Sequence, residues 1–377
     1  MKVLVLTEYP PSAGGLSTQG AQFCSGLREI GVDVHPVHLQ SPLEKEWYYR
    51  WFRPDVVVGI GYWGHLDEIV NHPRQFGITA IPWLVADGYV AAHRELLDSL
   101  PLILVTSRWV KEVYMRDGIQ GDNIEVLPVG CDTDAFAPRF RGYLKVQVIR
   151  EALGVAEDEI MILTVGGDAA SKGGREVMQA LARIQSEPES QVPGWRYVCK
   201  LWPQARTEQQ NSLDLALAAD LGIEQRVVFS TNVVSRNFMP YLLAACDIYA
   251  APSRLEGFGM PHVEANACGK PVLAIDAMAF RDTMVHGETA FLADVGEEIT
   301  VTEGVAGTER IVFKEPRTEG YRASTESVAR YLRILMQDAE LRKRMGDAGR
   351  CRAVELFDHR QVARQFLKIV SDRLGIQ

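Results

Sequence analysis

The sequence predicts an α/β protein built from two Rossmann-like, doubly wound domains that face each other across a cleft. Three observations predict it. The chain has 377 residues, enough for two domains at about 150 residues each. Short apolar strands alternate with helical segments, the pattern of a parallel sheet covered by helices. Each half also opens in the same way, with a strand, a glycine-bearing loop and a helix.

Taken in order, residues 3–6 (Val-Leu-Val-Leu) read as a short buried strand. Tyr9-Pro-Pro-Ser-Ala-Gly-Gly-Leu-Ser17 is a turn-rich loop, and residues 17–30 follow as a helix closed by Gly31, with Ser17 or Thr18 as its cap. Residues 32–37 then form a second strand, which completes a β-loop-α-β unit. Further strands are expected at 55–60, 78–85, 102–106 and 124–128, with Ser107 capping a helix over 109–115. The texture changes at 131–150, which reads as a linker with a short helix, so the first domain and its linker span 1–150. A second unit starts with a strand at 160–165, a glycine loop at 166–174 and a helix at 175–185. Strands follow at 196–201, 226–230, 247–251 and 271–275, and Pro240 suits the first turn of a helix between them. This domain spans 151–356. Residues 288–319 interrupt the pattern as a strand-like, polar hairpin insertion whose function the sequence does not give. The chain closes with helices, the last from about residue 357 to 377.

Composition narrows the function classes. Hydrophobic residues make up 47% and charged residues 24%, ordinary values for a soluble globular protein. A net charge of −9 argues against bulk nucleic-acid binding, while leaving room for a local basic pocket that holds an anionic ligand. The six cysteines form no Cys-x-x-Cys pair and lie at no zinc spacing from a histidine, so free buried thiols in a reducing compartment are expected. The apolar run before Thr7 is too short for a signal-peptide core, and no stretch approaches the ~20 apolar residues of a membrane span. A soluble cytoplasmic protein is the expectation. Peripheral membrane contact and oligomeric state stay open.

The chemistry concentrates in Pro252-Ser-Arg-Leu-Glu-Gly-Phe-Gly-Met-Pro-His-Val-Glu-Ala-Asn-Ala-Cys-Gly269. This loop follows a strand, where ligands of open α/β sheets bind. Gly257 and Gly259 let the backbone approach a ligand, and Pro261 fits the first turn of a helix that Gly269 closes. The free N–H groups at such a helix start suit a phosphate or sugar hydroxyls. Glu256 lies in the loop and Glu264 one turn into the helix, so both can face one pocket. Carboxylates accept from hydroxyls and amides donate to phosphates, which suits a ligand carrying both groups. On physical grounds alone, a strand-turn-helix with incidental surface glutamates remains an equal reading, because a lone glycine loop is weak evidence.

Glu256-Gly-Phe-Gly-Met-Pro-His-Val-Glu264 and the Ala-Asn-Ala-Cys-Gly-Lys-Pro-Val that follows resemble the signature of retaining glycosyltransferases of the GT-B fold, family 4, the glycosyl transferases group 1. The likeness runs along most of the chain. Gly14-Gly15 is similar to the family's N-terminal glycine loop, and Val129-Gly-Cys-Asp-Thr-Asp-Ala-Phe136 to its linker. Ser171-Lys-Gly173 is similar to the "K-G" after the first strand of the C-terminal domain, and His286-Gly-Glu-Thr-Ala-Phe-Leu292 to a later loop. These segments in this order are far more specific than any one of them.

The resemblance implies a retaining hexosyltransferase that moves a sugar from a nucleotide-diphosphate sugar to an unidentified glycan, lipid or small-molecule acceptor. Uridine diphosphate is the donor guess by base rate only. Glu264 takes the ribose hydroxyls, and Glu256 contacts the donor sugar. The amides of Phe258, Gly259 and Met260, with Gly167, hold sugar and diphosphate. Lys172 neutralises the leaving diphosphate. Gly14 and Gly15 face the diphosphate or acceptor from the first domain. Asn232 and Val233, in Thr231-Asn-Val233, lie where backbone groups could read the base. A catalytic residue after a mid-domain strand falls nearest Asp87, with His93 as the alternate. No nucleophile sits with a general base, and the resemblance implies front-face attack in which the leaving phosphate takes the acceptor proton. The sequence departs from the family at Asp168, where an arginine is expected in G-R-x-x-x-K-G. Either Arg175, Arg206 or Arg236 substitutes, or Asp168 orients Lys172, or donor binding is unusual. Asp132-Thr-Asp134 copies a metal motif of another glycosyltransferase fold but falls in the linker, so no metal and no cofactor are expected. The final helix, from the segment Asp358-His-Arg360, resembles one that crosses back to the first domain. Other readings kept open are a phosphorylase or sugar-nucleotide epimerase on the same scaffold, and a degenerate sugar-nucleotide-binding protein.

Overall fold

The computed structural model describes every residue except 87, 188–190, 204, 307–308 and 377, and describes side chains except also those of 205–209, 306 and 309. The chain divides into two units. The first contains Met1–Asp132, Thr300–Glu319 and Glu355–Gln377, and the second contains Thr133–Ile299 and Gly320–Val354.

The first unit carries strands β1 (Lys2–Thr7), β2 (Asp33–His38), β3 (Val56–Tyr62), β4 (Ala80–Val85), β5 (Ile103–Val105) and β6 (Ile124–Val126), in the order β2-β1-β3-β4-β5-β6. The second carries β7 (Ile160–Val165), β8 (Trp195–Lys200), β9 (Val227–Ser230), β10 (Ile248–Ala250), β11 (Val272–Ile275) and β12 (Ala290–Ala293), in the order β12-β11-β10-β7-β8-β9. All pairings within these two sheets are parallel. Helices cover both faces of such a sheet, so its strands are apolar without alternation. Val3 to Leu6 and Ile160 to Leu163 are accordingly buried throughout.

In the second sheet the chain starts at β7, winds outward to β9, then returns to the other side of β7 with β10. The order therefore reverses between β7 and β10, and the loops leaving their carboxyl ends flank a topological switch point. That switch positions the candidate site. In the first sheet the corresponding reversal lies between β1 and β3.

Several boundaries differ from the sequence reading. The units divide at Asp132 and Thr133 rather than at 150. The reason is ionic. Arg141 and Arg150 both reach Asp247 at the foot of β10, at 2.8 and 3.0 Å, so the segment read as a linker is anchored to the second unit. The first helix begins at Gly15, and neither Ser17 nor Thr18 caps it. Ser17 Oγ instead accepts from the Ser12 amide at 2.8 Å and closes the preceding loop. Ser107 does cap its helix, Arg108–Arg116, by accepting from the Val110 amide. The insertion is a hairpin of β13 (Val295–Ala306) and β14 (Glu309–Ala323), while the start of the expected segment forms β12 of the main sheet. Of the cysteines, Cys351 is exposed, against the expectation of buried thiols. The other five are buried and none is disulfide-bonded.

The first unit's core joins distant parts of the chain. Phe23 packs edge-on against Trp83 and against Phe366 of the last helix, His359–Leu374, with ring centroids 5.1 and 5.0 Å apart. The Cys131 amide donates to the Phe357 carbonyl and the His359 amide to the Cys131 carbonyl, at 2.7 and 2.9 Å.

Candidate active site

The loop after β7 and the loop after β10 are held to each other. The Arg254 amide donates to the Ser171 carbonyl at 2.9 Å. Gly173, at φ +73°, lies so close to the Pro252 carbonyl that a side chain there would collide with it. Only glycine meets both the left-handed backbone and the close approach. Past this turn runs the helix Gly174–Ser186, which no side chain caps.

Across the joined loops, Lys172 Nζ lies 2.5 Å from Glu256 Oε1, with both side chains mostly buried. Burial works to raise the Glu256 carboxyl, but the ammonium of Lys172, helped by His262, outweighs it and holds the group below the usual range. The helix Met260–Ala267 starts at Gly259, whose φ of +83° and contact with Phe280 exclude a side chain. Pro261 lies in its first turn. One turn in, Glu264 is 9% exposed, and burial raises its carboxyl to about 7, with the Arg236 charge opposing. The buried Tyr249 hydroxyl feels both Glu256 and Glu264, which places the two carboxylates around one point of the sheet.

His262 sits between them in sequence and is also buried. Its Nε2 lies 2.7 Å from the Ala251 carbonyl, so that nitrogen carries the proton and Nδ1 is left without a partner. Burial lowers its pKa to about 4, so the ring is neutral near pH 7. The sequence reading gave it no role.

The remaining predicted residues fall as follows. Gly167 lies in the loop after β7, against the Trp202 ring. Phe258 is buried and Met260 half-buried at the helix start. Asn232 and Val233 are exposed just beyond β9. In the first unit, Gly14 and Gly15 stand at the uncapped start of the helix Gly15–Glu29, where a side chain at Gly14 would face a Glu8 carboxylate oxygen. His93 is the left-handed residue, φ 65°, that opens the short helix Arg94–Asp98, and its carbonyl accepts from the Leu97 amide. Asp87 lies outside the described residues.

The structure answers part of the question raised by Asp168. Its carboxylate accepts from the Ser171 amide at 2.6 Å and the Ser171 hydroxyl at 2.9 Å, so it shapes the loop, while the ion-pair partner of Lys172 is Glu256. Arg175 is committed to buried Asp214 at 2.6 Å. Arg236 is exposed and acts on Glu264. The side chain of Arg206 lies outside the described ones. One residue went unnoticed in the sequence: Lys200, the last residue of β8, is 6% exposed. A charged residue closing the apolar run Tyr-Val-Cys was the available signal.

Two doubly wound parallel sheets with these loops at a switch point define the GT-B fold, the two-Rossmann-domain fold of glycosyltransferases. Solved structures agree. Sucrose-phosphate synthase from Thermosynechococcus elongatus superposes with a TM-score of 0.75 at 17% identity, over 99% of this chain and 98% of its own. Anabaena HepE in complex with UDP and glucose gives 0.74 at 17%, over 98% and 99%.

Residues 145–308 match the family model described as Glycosyl transferases group 1. Among characterised relatives, the MMP alpha-(1->4)-mannosyltransferase of Mycolicibacterium hassiacum is 29% identical over 315 residues, which is 80% of this chain and 63% of that protein. The D-inositol 3-phosphate glycosyltransferase of Acidothermus cellulolyticus is 29% identical over 51% of this chain and 42% of its own. The matched segments thus span less than two thirds of these relatives' lengths.

Proposed function

We propose that this protein is a retaining, metal-independent glycosyltransferase of family 4, which transfers a hexosyl group from a nucleotide-diphosphate sugar to an acceptor hydroxyl. The observation that carries this reading is the Lys172–Glu256 pair beside buried Glu264 at the switch point of the second sheet. The group 1 match covers that region, and the relatives are named as sugar transferases. HepE, of the same fold, binds UDP and UDP-glucose, which favours a uridine donor.

In this reading the ribose hydroxyls donate to the Glu264 carboxylate, and the diphosphate meets Lys172, the glycine loop and the uncapped start of the helix Gly174–Ser186. The amides around Phe258–Met260 meet the sugar. Glu256 accepts from its hydroxyls and steadies positive charge at the anomeric carbon. The acceptor oxygen attacks that carbon on the face the phosphate leaves. The bond to phosphate breaks, and a phosphate oxygen takes the acceptor proton. The protein contributes position and a preset charge rather than a covalent partner. Gly14, Gly15 and the loop containing Asp87 and His93 are proposed to serve the acceptor side.

The test is saturation-transfer NMR with UDP-, GDP- and ADP-sugars, followed by anomeric analysis of any product or slow hydrolysis. Binding of one donor and release of an α-configured sugar from an α-linked donor are expected. No binding at millimolar concentration overturns the reading, and a β-configured product overturns retention.

A further inference from the structure

Lysine or arginine side chains that fold into an interior need acceptors. Among the described residues, the buried lysines and arginines are Lys45, Arg150 and Lys200. Lys45 donates to the Glu68 carbonyl at 3.0 Å. Arg150 donates to the Ala245 and Glu159 carbonyls and to Asp247. Lys200 has no such acceptor and no neighbouring charge among the described residues. Burial alone acts on its ammonium, and pushes it below the usual lysine range. Nothing in the local fold calls for a lysine here, since an apolar residue would close β8 at lower cost. Its ammonium is not among the fully enclosed polar atoms, so it keeps an opening through which an anion can reach it.

The position says which anion. Lys200 ends β8, level with Val165 of β7 and Ser230 of β9, at the carboxyl edge of the sheet. Its carbonyl accepts from the Gly166 amide at 3.0 Å, and the stem of Lys172 packs over the same glycine. The two lysines therefore flank the glycine loop, one paired with Glu256 and the other unpaired. Strand alternation sets Lys200 on the sheet face of its register partner Val165. Leu163 shares that face, and so does its partner Tyr249, which packs against His262 and feels both Glu256 and Glu264. The Arg175–Asp214 pair is tied to the opposite face, where Asp214 acts on Tyr197 and Cys199.

We propose that Lys200 is a phosphate-binding residue of the donor site, supplying to the nucleotide's diphosphate the positive charge that Asp168 does not. This rests on the nucleotide-sugar reading above. A diphosphate set over Lys172 alone would meet a cation already neutralised by Glu256. Lys200 removes that deficit without rearranging the loop that Asp168 holds.

The test is calorimetric titration of the intact protein with UDP, GDP and ADP, then with the free nucleoside of whichever binds best. Lys200→Met, which keeps the stem, is expected to weaken the nucleoside diphosphate about 10–100-fold, the range for loss of a charge-assisted bond. It should change nucleoside affinity less than twofold. Lys200→Arg should restore most of the loss, and Lys200→Met should melt no lower than the unaltered protein, because it removes a buried unpaired charge. A lysine serving the fold would lower the melting temperature instead. Should Lys200→Met fail to fold, Lys200→Gln is titrated in its place against Lys200→Arg. Equal losses for nucleoside and diphosphate, or unchanged diphosphate affinity, overturn the proposal. If the unaltered protein binds none of the three diphosphates, the nucleotide reading itself falls. If it binds one and Lys200→Met matches it, only the role of Lys200 falls.

Discussion

Glu264 carries two opposed demands. Its carboxyl rises from 4.5 to about 7 because the fold buries it, so the folded state binds its proton more tightly than the unfolded state does. The stability this residue permits is therefore greatest below about pH 4.5 and declines as pH rises through about 7, by up to about 3 kcal/mol. Ribose hydroxyls need the ionised form as acceptor, and that form is the one the fold penalises. Glu264→Gln is thus expected to raise the melting temperature at pH 8 while weakening nucleotide binding. In the unaltered protein, nucleotide affinity should climb between pH 6 and pH 8, and the variant should lose that climb. Calorimetry at three pH values with parallel thermal melts reads both, and a Gln variant that binds as well as the parent removes Glu264 from the site. The sequence made Glu264 visible through its spacing from Glu256. It did not reveal the unpartnered Nδ1 of His262 or the burial of Lys200 with no neighbouring charge acting on it among the described residues, since surroundings are not a property of the residue alone.

The elements themselves were readable to within a few residues where apolar runs were bounded by glycine, as at β7 and the helix Met260–Ala267. They were less readable where an ion pair overrides local texture. Residues 133–150 carry the polar, proline-containing pattern of a linker, yet Arg141 and Arg150 fasten them under β10 by converging on Asp247. That pairing joins positions about a hundred apart, which periodicity does not register. Burial works to raise the Asp247 carboxyl, but the two guanidiniums outweigh it and leave the group below the usual carboxylate range. Its contribution is accordingly present above about pH 4 and is lost as pH falls through the folded value. Arg150→Met strips Asp247 of one partner and takes the Arg150 donor from the Ala245 carbonyl, while the Glu159 carbonyl keeps Arg141 at 3.0 Å. We expect a loss of about 2–4 kcal/mol in urea melts at neutral pH, held below the cost of a fully broken buried pair by the remaining Arg141. The difference should narrow at pH 3, and a pH-independent loss would place the effect in packing rather than charge.

At the scale of the whole chain, the units are not contiguous in sequence. The first unit is completed by Glu355–Gln377, more than two hundred residues after Asp132. An amphipathic pattern shows that the last helix covers some apolar surface, but not which surface, so only the family likeness tied it to the first domain. The structure supplies the physical reason: Phe366 is fully buried against Phe23, itself against Trp83, whose indole donates to the Leu127 carbonyl at 3.0 Å. The hairpin makes a similar return. Phe313 packs on Tyr89 with centroids 5.0 Å apart, and Arg317 pairs at 3.0 Å with buried Asp117, which accepts from the Val90 amide. A core finished by the end of the chain should be damaged from that end. Phe366→Ala opens a cavity worth about 3–5 kcal/mol in a site lined by fixed aromatic rings. Hydrogen exchange should then show lost protection in the helix Gly15–Glu29 and in β1, β3 and β4, while the amides of β7, β8 and β10 keep theirs. Equal losses in both sheets would mean that the two units unfold as one cooperative body, and unchanged exchange in the first sheet would mean that the last helix lies on that unit without completing its core.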